Sequence, residues 1–136
     1  MKSVLFGNPN TDWWKLSLVG VSAEEQIVEI NGELQVGFFR ASTPMCVEPA
    51  VLARFAADVR QLDQTLTGTA ALESQNIQSS VKVKLTVNHM GHIILAGYYE
   101  INGNALNFSF QSDQTQLAPL TRWLESTVAK YERSVA

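Results

Sequence analysis

The chain has a single cysteine, Cys46, among its 136 residues. One cysteine excludes an internal disulfide, so the fold has to be held together by its own hydrophobic core. Long apolar runs are also missing, because charged residues break them up, and the first residues lack the apolar core of a signal peptide. These absences predict a single cytoplasmic domain over residues 1–136 that makes no contact with a membrane.

A basic excess is missing as well. Residues 1–50 carry three basic and six acidic side chains, so the whole net charge of −3 lies in this part of the chain. Proteins that bind nucleic acids normally present a basic patch to the phosphate backbone. The charge distribution therefore argues against direct binding of nucleic acid and favours a basic partner.

Sequence motifs for catalysis are absent too. The chain has no glycine-rich phosphate loop and no serine elbow, and His89 and His92 lack the further ligands that a zinc site needs. Cys46 has no nucleophile signature around it and is interpreted as a small buried side chain. Glu24 and Glu25 are neighbours on a predicted strand, so they point to opposite faces. We therefore predict no catalytic residues, no cofactor and no metal, which means that the protein is not an enzyme.

The clearest structural signal is an antiparallel meander of three strands in residues 81–111. Gly91 supplies the left-handed residue of a three-residue turn, and Asn102-Gly103 is the preferred two-residue hairpin turn. Both turns agree on a register in which Tyr99 lies between Val81 and Leu106. The apolar face of this meander comprises Val81, Val83, Leu85, Ile93, Leu95, Tyr99, Leu106, Phe108 and Phe110.

Further antiparallel strands are predicted in the first forty residues. Asn31-Gly32 has the signature of a two-residue hairpin turn, and we predict a turn there. In the preceding strand Trp14 continues the core face, so Trp13 is expected to point outward. The outward side chains expected with it are Val28, Ile30 and Phe39.

Helical periodicity appears twice. Apolar residues spaced by three and four predict one helix with Pro49 in its first turn and Gly68 after its last, and a second from between Asp113 and Pro119 to about Glu132. Residues 69–74 predict one more strand between them. The sum is an α+β fold, an antiparallel β-sheet meander of about six to seven strands with two α-helices packed on one face.

Several short motifs occur in a characteristic order from Arg54 onward. They are RFAADVRQL at 54–62, ALES at 71–74, MGHI at 90–93, LNFSF at 106–110 and DQTQL at 113–117. In this order they resemble the WapI-type immunity protein family of bacterial toxin systems, whereas the first fifty residues share only the presence of strands. The resemblance implies a non-catalytic antitoxin that binds a cognate toxin domain and neutralises it stoichiometrically. Many toxins of this type are basic, and a nuclease is one such case.

The acidic segment from Glu24 to Glu33 is the predicted toxin-facing surface. An acidic patch complementary to a basic toxin would speed association and exclude wrong partners. The residues assigned to this surface are Trp13, Glu25, Glu29, Glu33 and Phe39. Charge and expected exposure are the basis of the assignment, since the resemblance supplies no binding residues.

Two alternative functions stay open. A small α+β ligand-binding or protein-interaction module would use the polar face of the meander, although ligand sites are usually concave and mostly apolar. An enzyme would need a pocket around His92 and Asp113. A monomer and a homodimer are equally open, because an uncovered sheet edge can pair with a second copy.

Overall fold

The computed structural model of the protein describes residues 3–136. These residues form four strands and a helix, followed by four more strands and a second helix. The α+β class is confirmed, but the strands form two antiparallel sheets of four, and the expectation of one sheet of six to seven strands is wrong. The elements are β1 (Ser3–Gly7), β2 (Trp13–Ser22), β3 (Ile27–Val36), β4 (Phe39–Val47), α1 (Pro49–Thr65), β5 (Thr69–Gln75), β6 (Ser79–Val87), β7 (Ile93–Ile101), β8 (Asn104–Ser112) and α2 (Leu117–Val135).

Both sheets contribute to one hydrophobic core. The first sheet holds β1 to β4 and the second holds β5 to β8, each in chain order. Each helix follows one sheet in sequence and contacts the other, since α1 contacts β5 and β6 while α2 contacts β1 and β2. The helices also pack against each other. The inner faces of both sheets and the apolar stripes of both helices therefore bury one continuous cluster of side chains.

The second sheet has the register predicted from its turns. Tyr99 pairs with Val81 on β6 and with Leu106 on β8. The glycines at both turns adopt left-handed backbone, with φ of +83° at Gly91 and +82° at Gly103. The predicted apolar face is buried, except that Leu106 is half-buried. Local turn chemistry and strict alternation thus fix this half of the fold.

The first sheet departs from the prediction at Asn31-Gly32. These residues lie inside β3 and not in a turn, and the chain reverses instead at Gly37, where φ is +61°. A side chain at Gly32 would begin 2.8 Å from the hydroxyl oxygen of Tyr99, which comes from the other sheet. Gly32 therefore marks a close approach between the sheets.

Moving the turn reverses the faces expected for residues 27–30 of β3, while Leu34 is buried as expected. Val28 and Ile30 were expected to point outward, and both are instead fully buried in the core. Side chains alternate along a strand, so Glu29 and Glu33 point away from the core. The acidic residues of β3 consequently lie on the outer face of the first sheet.

A buried hydrogen bond joins the two sheets. The Nε1 atom of Trp14 on β2 donates to the hydroxyl oxygen of Tyr99 on β7 over 2.9 Å. Each of the two side chains is about 1% exposed. Burial raises the pKa of Tyr99 well above that of a free phenol, so the hydroxyl stays neutral. The bond gives both polar groups a partner inside the core.

The edge strands β4 and β5 meet without pairing as a ladder. The side-chain amide of Asn76 donates to the carbonyl oxygen of Pro44 over 2.8 Å, and the hydroxyl of Ser74 donates to the carbonyl oxygen of Cys46 over 3.4 Å. Both carbonyl groups therefore point away from β3 and toward the second sheet. Side chains of one sheet thus satisfy backbone groups at the edge of the other.

Both helices form where their periodicity predicts them. Pro49 occupies the first turn of α1, and Leu66 ends it in left-handed backbone, its N–H donating to the carbonyl of Leu62. Ahead of α2, the carboxylate of Asp113 accepts a hydrogen bond from the backbone N–H of Thr115 over 2.8 Å. The buried residues of α2 are Leu117, Leu120, Thr121, Trp123, Leu124 and Thr127.

Candidate functional site

Strand β3 carries most of the acidic residues assigned to the candidate surface. Glu29 and Glu33 are half-buried on the outer face of the first sheet, and Glu25 is exposed in the turn between β2 and β3. Glu24 is exposed beside it. We name the end of the sheet formed by Glu24, Glu25 and Glu29 the acidic end.

Cys46 lies directly across from Glu29 on the neighbouring strand β4. Partial burial raises the pKa of the Cys46 thiol, and the negative charges of Glu29 and Glu25 raise it further. Cys46, Glu25 and Glu29 line a cavity of about 250 Å³ together with the end of β2. It is lined by Gly20, Val21, Ser22, Glu25, Ile27, Glu29 and Cys46. The acidic end is therefore concave and includes the thiol.

The raised pKa of Cys46 predicts slow alkylation at neutral pH. Only the thiolate reacts with iodoacetamide, so we expect the rate to rise through a midpoint above that of an ordinary thiol. Glu29→Gln removes one nearby charge and should shift the midpoint to lower pH, while burial keeps it above the ordinary value. Mass spectrometry of the alkylated protein at a series of pH values measures the rate.

The matched control for this profile is Asp63→Asn, which removes one exposed carboxylate near the far end of α1. We expect it to leave the midpoint of Cys46 alkylation unchanged. Equal shifts in the Glu29 and Asp63 variants would contradict a local effect of Glu29. In urea-denatured protein, the midpoint of Cys46 alkylation should return to the ordinary range of a free thiol.

Glu33 has a different environment from the acidic end. It lies across from Lys15 on β2 and from Ser42 on β4, and its Oε1 atom accepts a hydrogen bond from Asn31 over 3.3 Å. A cation on the neighbouring strand offsets its charge. Glu33 consequently contributes less negative potential to the outer face than Glu25 or Glu29.

The expectation that Trp13 is exposed is wrong. Its alternation was predicted correctly, since it lies on the opposite face from Trp14, yet it is only 7% exposed. The guanidinium of Arg40 lies over its ring, with Cζ 5.4 Å from the ring centroid, and covers it. Trp13 is therefore part of a cation–π pair.

Phe39 is exposed as expected, but at the opposite end of the sheet from Glu25. It begins β4 at the hairpin tip, pairs with Val36, and is 66% exposed. Its neighbour Phe38 in the turn is fully exposed. The sequence-predicted site residues thus divide between an acidic end and an aromatic tip, and β3 separates the two.

The acidic end has no ion-pair partners in the part of the chain from Ser3 onward. The ion pairs found there join Arg60 to Glu125 over 3.0 Å and Lys82 to Glu73 over 3.3 Å. Neither pair involves Glu24, Glu25 or Glu29. Their charge is therefore available to a partner.

The residues considered for catalysis have structural contacts. His92 Nδ1 lies 3.1 Å from the side-chain amide of Gln111, and Asp113 caps the turn before α2. Hydrogen bonds from Thr115 lower the pKa of Asp113. Within residues 3–136, no three His, Cys, Asp or Glu side chains are grouped so that they could hold a metal ion. Within the same range, no helix is long and apolar enough to cross a membrane.

Comparison with known proteins first identifies the fold. No curated protein matches the sequence. The crystal structures of Trypanosoma brucei MRP1/MRP2 are similar with a TM-score of 0.53, covering 93% of this chain and 81% of that chain. Sequence identity to them is 13%, so this likeness concerns the fold alone.

The family comparison covers nearly the whole chain. The sequence matches the immunity protein WapI-like family over residues 5–132. This range confirms the resemblance carried by the motifs from Arg54 onward. It also includes all of β2, β3 and β4 and part of β1, so the match covers most of the first sheet as well as the second. The protein belongs to the immunity protein WapI-like family.

Proposed function

We propose that this protein binds a cognate toxin domain and neutralises it stoichiometrically, without catalysing a reaction. Membership of an immunity protein family over residues 5–132 is the observation that carries the proposal. A stoichiometric inhibitor needs a complementary surface and no catalytic constellation. The proposal places the complex in the cytoplasm, with one antitoxin for each toxin domain.

We assign the toxin-facing surface to the outer face of the first sheet, centred on the acidic end. Glu25 and Glu29 are close enough to Cys46 to raise the pKa of its thiol, so their charges converge on one concave region. A basic toxin would supply the opposite charge, and complementary potentials speed association and reject other proteins. Glu33 extends this surface along β3, while Trp13 and Arg40 lie farther along the sheet, beside Gln35.

Growth rescue tests the proposed function directly. The chain is co-expressed with the C-terminal domain of a large secreted protein encoded beside its gene. We expect restored growth and a one-to-one complex in size-exclusion chromatography with light scattering. A toxic neighbour that is neither bound nor neutralised would overturn the proposal.

Charge reversal tests the assigned surface. The variant Glu25→Lys/Glu29→Lys/Glu33→Lys is expected to weaken toxin binding by more than about tenfold, mainly through slower association. The side chains are exposed or half-buried, so circular dichroism should show an unchanged fold. Surface plasmon resonance at low and high salt measures the loss, which should shrink as salt screens the charges.

A matched control separates the acidic end from a general change of net charge. The double variant Glu25→Lys/Glu29→Lys is compared with Asp63→Lys/Glu125→Lys. The second variant changes the net charge by the same amount, but at exposed positions on the helices. We expect the helix variant to bind within about twofold of the parent, because neither residue belongs to the assigned surface. Loss of the exposed ion pair between Glu125 and Arg60 should change stability little. Equal losses in both variants would refute the assignment of the acidic end.

A further inference from the structure

A second concavity adjoins the acidic end. It has a volume of about 940 Å³, lies between the edge of β4 and the turn from β5 to β6, and shares Ile27 and Cys46 with the acidic cavity. The apolar residues that line it are Ile27, Pro44, Ile77 and Ile101. We name this concavity the isoleucine groove. The acidic cavity with Glu25 and Glu29 adjoins it through Ile27 and Cys46, so apolar side chains of the groove lie next to a region of negative charge.

Ile77 is a fully exposed apolar residue of the groove. Its side chain is fully exposed at the centre of the turn between β5 and β6. Hydrogen bonds fix this turn, because Asn76 donates from its backbone to Ser79 over 2.8 Å and from its side chain to Pro44 over 2.8 Å. Asn102 also donates to the carbonyl of Gln78 over 2.9 Å. The backbone of an ordered turn loses little conformational entropy on binding.

We propose that the isoleucine groove holds an apolar side chain from a basic segment of the toxin, whose cationic residues contact the acidic end. This inference rests on the proposed function and adds the apolar anchor of the same interface. Binding energy concentrates where apolar groups are fully desolvated, while charges at the rim mainly set association rate and specificity. The groove supplies the apolar contact, and Glu25 and Glu29 supply the charges at the rim.

Charge complementarity selects a basic protein segment over a second copy of this chain. A symmetric dimer through the groove would use the same surface on both copies. Among residues 3–136, the side chains that line the groove and the acidic cavity include no lysine or arginine, so a second copy would cover Glu25 and Glu29 without offering them a cation. A segment that carries lysine or arginine beside an apolar side chain avoids this cost.

Substitution of Ile77 tests the apolar lining of the groove. Ile77→Ser is expected to weaken binding of the toxic C-terminal domain by about tenfold, chiefly through faster dissociation. The side chain is fully exposed, so stability should not change. Met90→Ser is the matched control, since Met90 is 67% exposed in the turn between β6 and β7, and it should bind as the parent does.

The single cysteine reports on the same groove without any substitution. Cys46 lines both concavities, so a bound toxin segment should slow its alkylation by iodoacetamide at least about fivefold at alkaline pH, where the thiolate forms. The toxic C-terminal domain is the probe, and the free antitoxin gives the reference rate. The reacted protein is identified by mass spectrometry.

The outcomes distinguish the groove from the proposed function. If Ile77→Ser neutralises the toxin with parental affinity and the toxin does not protect Cys46 from alkylation, the proposed role of the groove is overturned. The antitoxin role would then stay intact. If Phe38→Ser weakens toxin binding and Ile77→Ser does not, the apolar contact lies at the aromatic tip and not in the groove. A dimer that Ile77→Ser converts to a monomer, with toxin binding unchanged, would assign the groove to self-association. Absence of any complex would overturn both proposals.

Discussion

Gly97→Ala is expected to lower the free energy of unfolding by about 3 kcal/mol. Gly97 lies in β7 between Val83 on β6 and Phe108 on β8. A Cβ atom at this position would overlap the backbone carbonyl of Lys82 and lie 3.0 Å from the Cα atom of Val83. Backbone atoms of a paired strand cannot move aside without breaking the ladder, so the second sheet has to distort.

Urea denaturation measures this loss, with Gly20→Ala as the control. Gly20 also lies in a strand, β2, but no heavy atom would come within 4 Å of its added Cβ. We expect Gly20→Ala to change stability by less than about 1 kcal/mol in either direction. Similar losses in the two variants would show that strand glycines in general, and not the contact with Lys82, determine the effect.

Gly32→Ala is expected to destabilise the protein by about 2 to 3 kcal/mol by displacing Tyr99. The added methyl group would lie 2.8 Å from the hydroxyl oxygen of Tyr99 and 3.0 Å from Cε of Met45. The flexible end of Met45 can move. Movement of Tyr99, however, breaks the hydrogen bond that it accepts from Trp14 in the core.

Removal of the hydroxyl should rescue part of this loss. Tyr99→Phe alone leaves the N–H of Trp14 without a partner and is expected to cost about 1 to 3 kcal/mol. In the double variant the methyl group at Gly32 occupies space that the hydroxyl has vacated, so the combined loss should be smaller than the sum. Strictly additive losses from the three unfolding curves would contradict direct contact between the two positions.

The second sheet could be predicted from sequence because its information is local. Gly91, Asn102 and Gly103 provide the left-handed backbone that their turns need, and the strands between them alternate without interruption. A slip by one residue would expose the whole apolar face. Register, turns and core therefore followed from short segments.

The first sheet could not be predicted in the same way, because the reason for a glycine at position 32 is a contact with Tyr99, which is distant in sequence. Asn31-Gly32 has the local signature of a turn, yet the absence of a side chain at Gly32 makes room for Tyr99 of the other sheet. The actual reversal at Gly37 has no Asn-Gly signature. The contact between Trp13 and Arg40 likewise arises only because Gln35 on β3 pairs with both residues.

The acidic side of the candidate surface was accessible to sequence reasoning, whereas its apolar side was not. Glu25 and Glu29 stand out through the uneven distribution of charge along the chain. Ile77 is an isolated apolar residue in a polar segment, and nothing nearby in sequence indicates that Ile27 and Ile101 lie beside it. That juxtaposition arises only when the edges of the two sheets meet.

The contact between β4 and β5 also covers part of a sheet edge that could otherwise pair with another chain. Free N–H and C=O groups along an edge strand are a template for intermolecular β-structure. Pro44 has no N–H to offer, and its carbonyl and that of Cys46 already accept hydrogen bonds from Asn76 and Ser74. At these two positions another chain would find few free groups with which to extend the first sheet, so the second half of the molecule hinders amyloid-like growth from this part of the β4 edge.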